Sequence, residues 1–118
     1  MLLTSCSEKF EYVDSTNFNN SIANRTDIET AEELILFYYG YSESEGTPNI
    51  SIETKELELG NIQVTLVHDE MKDDSMRAVK IVMTVKHTGQ SWVVIEIKKN
   101  WKCWEGRGHT NWGTEYCN

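Results

Sequence analysis

An α+β fold is predicted from two patterns that follow one another along the chain. Between residues 26 and 40 apolar side chains recur every three to four positions, the period of one helix packed along one face. Between residues 50 and 97 they alternate with polar ones and are interrupted by turn-forming residues, which divides the stretch into four strands of an antiparallel meander. A chain of 118 residues is long enough for one such domain and its core, and too short for a second.

The chain enters the fold through SEKFEYVDSTNFNNSIANR, residues 7–25, which has no period and is rich in Ser and Asn, as a flexible linker would be. Thr26-Asp27-Ile28-Glu29 then fits a capping box, in which the Thr26 hydroxyl accepts from the Glu29 amide and the Glu29 side chain reaches back. A helix is expected from there. Ile28, Ala31, Leu34, Ile35 and Tyr38 make its apolar stripe, Glu32 and Glu33 face away, and Gly40 is placed to end it. Leu36, Phe37 and Tyr39 widen the stripe, so the helix needs a sheet to lie on.

The first strand carries Ile50 and Ile52 on one parity and Leu57 and Leu59 on the other, which requires a bulge or break near residues 54–56. Gly60-Asn61 fits a two-residue hairpin turn that would pair Leu59 with Ile62 and Leu57 with Val64. The second strand runs through Leu66 to an acidic turn at residues 69–75. In the third, Val79, Ile81, Met83 and Val85 point inward and Ala78, Lys80, Val82, Thr84 and Lys86 outward. A three-residue loop, Thr88-Gly89-Gln90, would bring Val93, Ile95 and Ile97 of the fourth strand inward and leave Trp92 and Val94 outward. One helix followed by a four-stranded antiparallel meander resembles the cystatin-like architecture, in which a sheet half-wraps a helix.

Met1-Leu2-Leu3-Thr4-Ser5-Cys6 resembles the lipobox of bacterial lipoproteins. The resemblance implies that Cys6 bears lipid, that the protein resides in the bacterial cell envelope, in the periplasm or at the outer membrane, and that residues 1–25 are a signal remnant and linker ahead of a domain at 26–118. It also leaves Cys103 and Cys117 as one pair, which an oxidising compartment would join around a Gly-rich segment. That segment, with its Cys, Gly-Arg-Gly-His, Trp and closing Cys, is similar to the C-terminal ends of some small exported bacterial proteins. Sequons at Asn19, Asn24 and Asn49 have no use in such a compartment.

The formal charge of -8 argues against a nucleic-acid partner, because binding there needs Lys and Arg to neutralise phosphates. The charge is unevenly spread, with 12 acids against 3 bases in residues 1–60 and 7 against 8 in residues 61–118. The first half therefore forms an acidic pole. No apolar run approaches the ~18 residues of a membrane span, so membrane contact would come only through Cys6.

Three constellations could carry function. The outward face of the third and fourth expected strands places Lys86, Trp92, Lys98, Lys102 and Trp104 together, a mixture of bases and large apolar groups typical of a protein interface. In the C-terminal loop, Gly106 and Gly108 would hold Arg107 and His109 outward to grip an anion. Cys103, His109 and Cys117 with His68 or His87 could ligate a metal only if the cysteines were reduced, so no metal and no cofactor are expected. Glu105, Arg107, His109 and Glu115 supply acid and base types without a nucleophile motif. The expected function is accordingly non-enzymatic binding of a protein partner, for example as an immunity protein that neutralises a toxin. A small envelope hydrolase or ligand-binding protein built on the Arg107/His109 loop, and a structural spacer, are the alternatives.

Overall fold

The computed structural model describes residues 8–40 and 49–118. They form β1 (Glu11–Val13), α1 (Thr16–Ile22), α2 (Ala31–Tyr39), β2 (Asn49–Glu56), β3 (Asn61–Asp69), β4 (Met76–Thr88) and β5 (Ser91–Cys103). The expected meander is β2 to β5, and the sheet is one strand larger than expected, in the antiparallel order β1-β5-β4-β3-β2. The lipobox and Cys6 lie outside the described residues.

The extra strand comes from the segment read as linker. Tyr12 pairs with Lys98 and Val13 with Ile97, which places Val13 on the helix side of the sheet. The short helix α1 follows, and its Ile22 is 1% exposed within the core. Asn19 of α1 explains why so polar a segment docks. Its side-chain amide donates to the Val94 carbonyl at 2.9 Å and accepts from the Val94 amide at 2.8 Å. It thus does for one residue of β5 what a neighbouring strand would do for several. Where a flexible linker was expected, Asn19 and Ser21 bond to backbone instead of to water.

The helix expected at Thr26 begins one turn later. Thr30 caps α2 by accepting from the Glu33 amide at 3.1 Å, and the Glu33 carboxylate accepts from the Glu29 amide at 2.8 Å. A helix begun at Thr26 would commit the Ile28 carbonyl to the Glu32 amide. Instead that carbonyl accepts from the Trp92 indole at 2.9 Å. Ile28 is buried ahead of α2, and Arg25 pairs with Asp27 at 2.7 Å across the non-helical approach. Gly40, at φ 82°, ends α2 with its amide on the Leu36 carbonyl.

Both hairpin turns differ from expectation, the first by a three-residue shift of register and the second by one residue, and each difference decides which side chains enter the core. Glu56 pairs with Ile62, so Leu57 to Gly60 form the first turn, and Leu57 and Leu59 are exposed instead of facing Val64 and Ile62. The second turn contains two residues, since Thr88 pairs with Ser91. That shorter loop puts Trp92 and Val94 inward and leaves Val93 and Ile95 outward, the reverse of the parity read from sequence. A bulge then intervenes: Thr84 pairs with Glu96 but Val85 with Val94, leaving Ile95 as the additional residue on β5. Past the bulge Ile97 points inward as expected.

The core lies between the helices and the sheet. Leu34 and Ile35 of α2, Val64 and Leu66 of β3, Met83 and Val85 of β4, and Val94 and Ile97 of β5 are all essentially inaccessible. Trp92 closes the end of this core near the second turn, with His87 stacked on it at 4.6 Å between ring centres.

Replacing Asn19 by Ala leaves the part-buried amide and carbonyl of Val94 without partners. We expect a loss of roughly 1–3 kcal/mol in urea unfolding, the range for an orphaned polar group. The Val94 amide should also lose its protection from hydrogen exchange, and a variant with unchanged exchange would show that this edge is held by something else.

Candidate functional site

The sheet has a helix-bearing face and an outer face, and the outer face divides into a covered half and an open half. The covered half begins at Ala78, Lys80 and Val82 of β4, which register with Lys102, Asn100 and Lys98 of β5. Phe10 lies under Lys98, with the ammonium 4.5 Å from the ring centre. Trp112 receives Lys80 at 4.5 Å and Lys102 at 4.6 Å. Three cations and two aromatic rings therefore alternate across the strands. Glu8 completes the arrangement by accepting from Lys80 at 2.7 Å and from Asn100 at 3.0 Å. Burial pushes the Glu8 carboxyl up, but hydrogen bonds from Lys80 and Asn100 and the charges of Lys80 and Lys102 outweigh it, and the group lies below its ordinary value. The fully buried Asn100 also donates to the Lys9 carbonyl, so the N-terminal segment is tied down by side chain and backbone alike.

Beside it the C-terminal loop forms a clasp. Cys103 and Cys117 are joined as expected. Gly113 exchanges two backbone hydrogen bonds with Trp101, and the Cys103 amide donates to the His109 carbonyl at 2.8 Å. Gly108, at φ 144°, has to be glycine, because a Cβ there would stand 2.8 Å from the Cys103 sulfur. The side chains proposed to reach outward are used internally. The two ring nitrogens of His109 face the carbonyls of Asn111 at 2.8 Å and Glu115 at 2.9 Å, and Arg107 donates to the Asn118 carbonyl at 3.2 Å. Trp104 donates to the Asp73 carbonyl at 2.8 Å with Arg77 above its ring.

The sequence-predicted binding residues are consequently not brought together as a free surface. Trp92 is a core residue, 6% exposed, and is withdrawn from the outer face by the two-residue turn. Lys98 and Lys102 lie on Phe10 and Trp112, and Trp104, Arg107 and His109 belong to the clasp and its contacts. Lys86 alone of the set stands exposed on the open half, in register with Val93.

At the same end of the sheet as Lys86, apolar groups that the sequence pattern placed inside are exposed. Val93 is 42% exposed, Ile95 51% and Leu59 87%. Register brings them to one end of the sheet, since Asn61, just after the first turn, pairs with Lys86, and Lys86 with Val93. Leu59 also adopts φ 63°, a left-handed conformation that costs a leucine about 1–2 kcal/mol. The signal for this site was present as the continuous apolar run Trp92-Val93-Val94-Ile95, which exceeds what one face can bury.

Cys103, His109 and Cys117 have ligand atoms within 4.8 Å of one another, but the two sulfurs are bonded together and cannot ligate in that state. His68 and His87 are elsewhere, against Tyr39 and Trp92. A cleft of about 490 Å³ borders Glu8, His109, Trp112 and Glu115, while Glu105 is exposed outside it. On the helix side, Tyr39 and His68 meet at 2.6 Å between the hydroxyl and Nδ1. Burial pushes the tyrosine hydroxyl up. Burial also lowers His68, only partly offset by Asp69, so the neutral ring accepts from the hydroxyl.

Gly108→Ala should prevent closure of the Cys103–Cys117 bridge, read as two free thiols by alkylation and intact mass; full oxidation of the variant would contradict the close approach. Because His68 is lowered on folding, its contribution to stability is present above the ordinary value of 6.5 and is lost as pH falls below it. The drop in unfolding free energy between pH 7 and pH 5 should be smaller in His68→Asn, which keeps an acceptor for Tyr39. An equal drop in both proteins would show that His68 does not titrate with folding.

Among the described residues no helix is long and apolar enough to cross a membrane. Compared with known proteins, the chain matches no family model, no curated sequence and no solved structure.

Proposed function

We propose that this chain is a non-enzymatic binding module of the bacterial cell envelope, anchored through lipid on Cys6, that engages a protein partner through the hairpin end of its sheet. The observation that carries the reading is the set of exposed apolar side chains Leu59, Val93 and Ile95 at the end of the sheet where Lys86 pairs with Val93. Apolar groups projecting together and rimmed by charge are characteristic of interfaces, where a few such anchors fill pockets on the partner. The strained backbone at Leu59 adds weight, since a glycine would serve the turn at lower conformational cost. Glu56 and Glu58 flank the leucines, so the complementary surface facing the first turn is apolar and carries bases. An immunity protein that covers a basic toxin site fits that description. The bridge between Cys103 and Cys117 supports an oxidising compartment.

The engagement of His109 and Arg107 by backbone carbonyls favours binding over hydrolysis at the clasp. A ring whose two nitrogens both face carbonyls of its own loop has neither nitrogen aimed at a substrate.

The test is affinity capture from envelope and secreted fractions, with Leu59→Gly and Ile95→Arg as paired baits beside the natural chain. A partner held stoichiometrically by the natural chain should be lost at least tenfold with either variant, while urea midpoints are not lowered, since Leu59→Gly relieves strain and Ile95 is exposed. Equal retention by all three baits would remove the hairpin end as the interface.

A further inference from the structure

The helix-bearing face of the sheet contains a residue out of place. On β5 the inward parity past the bulge reads Ile97, Lys99, Trp101, so a lysine stands in register with the buried Ile81. A lysine between Ile97 and Trp101 and beside Ile81 departs from the apolar pattern of β4 and β5 on this face, with Glu11 of β1 opposite it, and such departures concentrate at functional positions. The helices do not cover this part of the sheet. In their place is a groove of about 480 Å³, within the roughly 300–1,000 Å³ of small-molecule sites. Its walls are Met71, Met76, Val79 and Trp101, with Tyr39 at the end of α2 and Lys99 as its base.

We propose that this groove binds a small amphipathic carboxylate, with the apolar body against the methionines and Trp101 and the carboxylate on the Lys99 ammonium. Methionine walls suit a flexible aliphatic body, because the thioether side chain adapts its shape at little cost. Acids near the groove leave Lys99 available. Asp73 is turned onto the amides of Ser75 and Met76, and those bonds hold its carboxyl below the ordinary value. Glu11 reaches Lys99 only at 3.7 Å, with both side chains about half exposed, so it competes weakly with a bound carboxylate. The Tyr39 hydroxyl is committed to His68 and closes the groove without offering a second anion contact. This site is toward the Met76–Cys103 end of the sheet, away from the hairpin turns beside Leu59, Val93 and Ile95, and its occupancy does not depend on the partner-binding role.

The probe is decanoate, followed through the methyl resonances of 13C-labelled methionine, with decanol and decylamine as the neutral and cationic counterparts. Saturable shifts confined to Met71 and Met76 are expected with decanoate, about tenfold weaker with decanol, and weakest with decylamine. Lys99→Met should abolish the preference for decanoate over decanol while leaving decanol bound, and Glu11→Gln should strengthen decanoate binding two- to threefold. Ile95→Arg should leave all of these unchanged, which separates this site from the protein interface. Shifts that do not saturate, that spread over all the methionines, or that persist with the same preference in Lys99→Met would overturn the proposal.

Discussion

The free edge of β5 is the constraint on which most of this structure depends. Thirteen residues long and paired with β4 along its whole length on one side, β5 presents a row of amides and carbonyls on the other that must find partners or remain in water. Four different pieces of chain meet that need in sequence. Asn19 supplies a side-chain amide at Val94, β1 pairs from Ile97 to Lys99, Gly113 bonds Trp101, and the His109 carbonyl receives the Cys103 amide. The N-terminal segment and the disulfide clasp are thus two parts of one edge cover, recruited from opposite ends of the chain. The same recruitment explains the cation and ring stack, since Phe10 and Trp112 are carried onto the outer face by the segments that cap the edge.

Closing one part of the sheet leaves two others open, and they differ in chemistry. At the hairpin end the turns and the bulge push aliphatic side chains outward near the exposed Lys86. On the helix side, the helices sit over β2, β3 and the first half of β5, so the far half of β4 and β5 lines a groove with sulfur, indole and an ammonium. A protein surface can anchor in the first through projecting side chains. The second is concave and accepts a small molecule. Tyr116 and Cys117 of the clasp border the groove, while the His109 and Arg107 side chains are taken up by the clasp's own backbone.

The helix-plus-meander core was legible in the sequence because its signals are local and periodic. Val79, Ile81, Met83 and Val85 alternate cleanly, Gly40 ends α2, and the cysteine spacing matched the bridge. The outer-face site was not, because β5 is apolar on both parities from Trp92 to Ile95 and alternation cannot choose between them. Of the residues expected to bind, Lys86 stands on the open surface, and Trp92 is in the core. The choice falls to Trp92 because its large surface gains most from burial and its indole finds the Ile28 carbonyl.

By itself the sequence determined the fold class, the four meander strands, the helix that ends at Gly40, and the acidic character of the first half, since each rests on residues near one another in the chain. Only the tertiary structure decided the fifth strand, the start of α2, the lengths of both turns and the bulge. Those depend on partners distant in sequence, Asn19 with Val94, Ile28 with Trp92, Glu8 with Lys80 and Asn100, and a hydrogen bond across some seventy residues leaves no period for a local pattern to reveal.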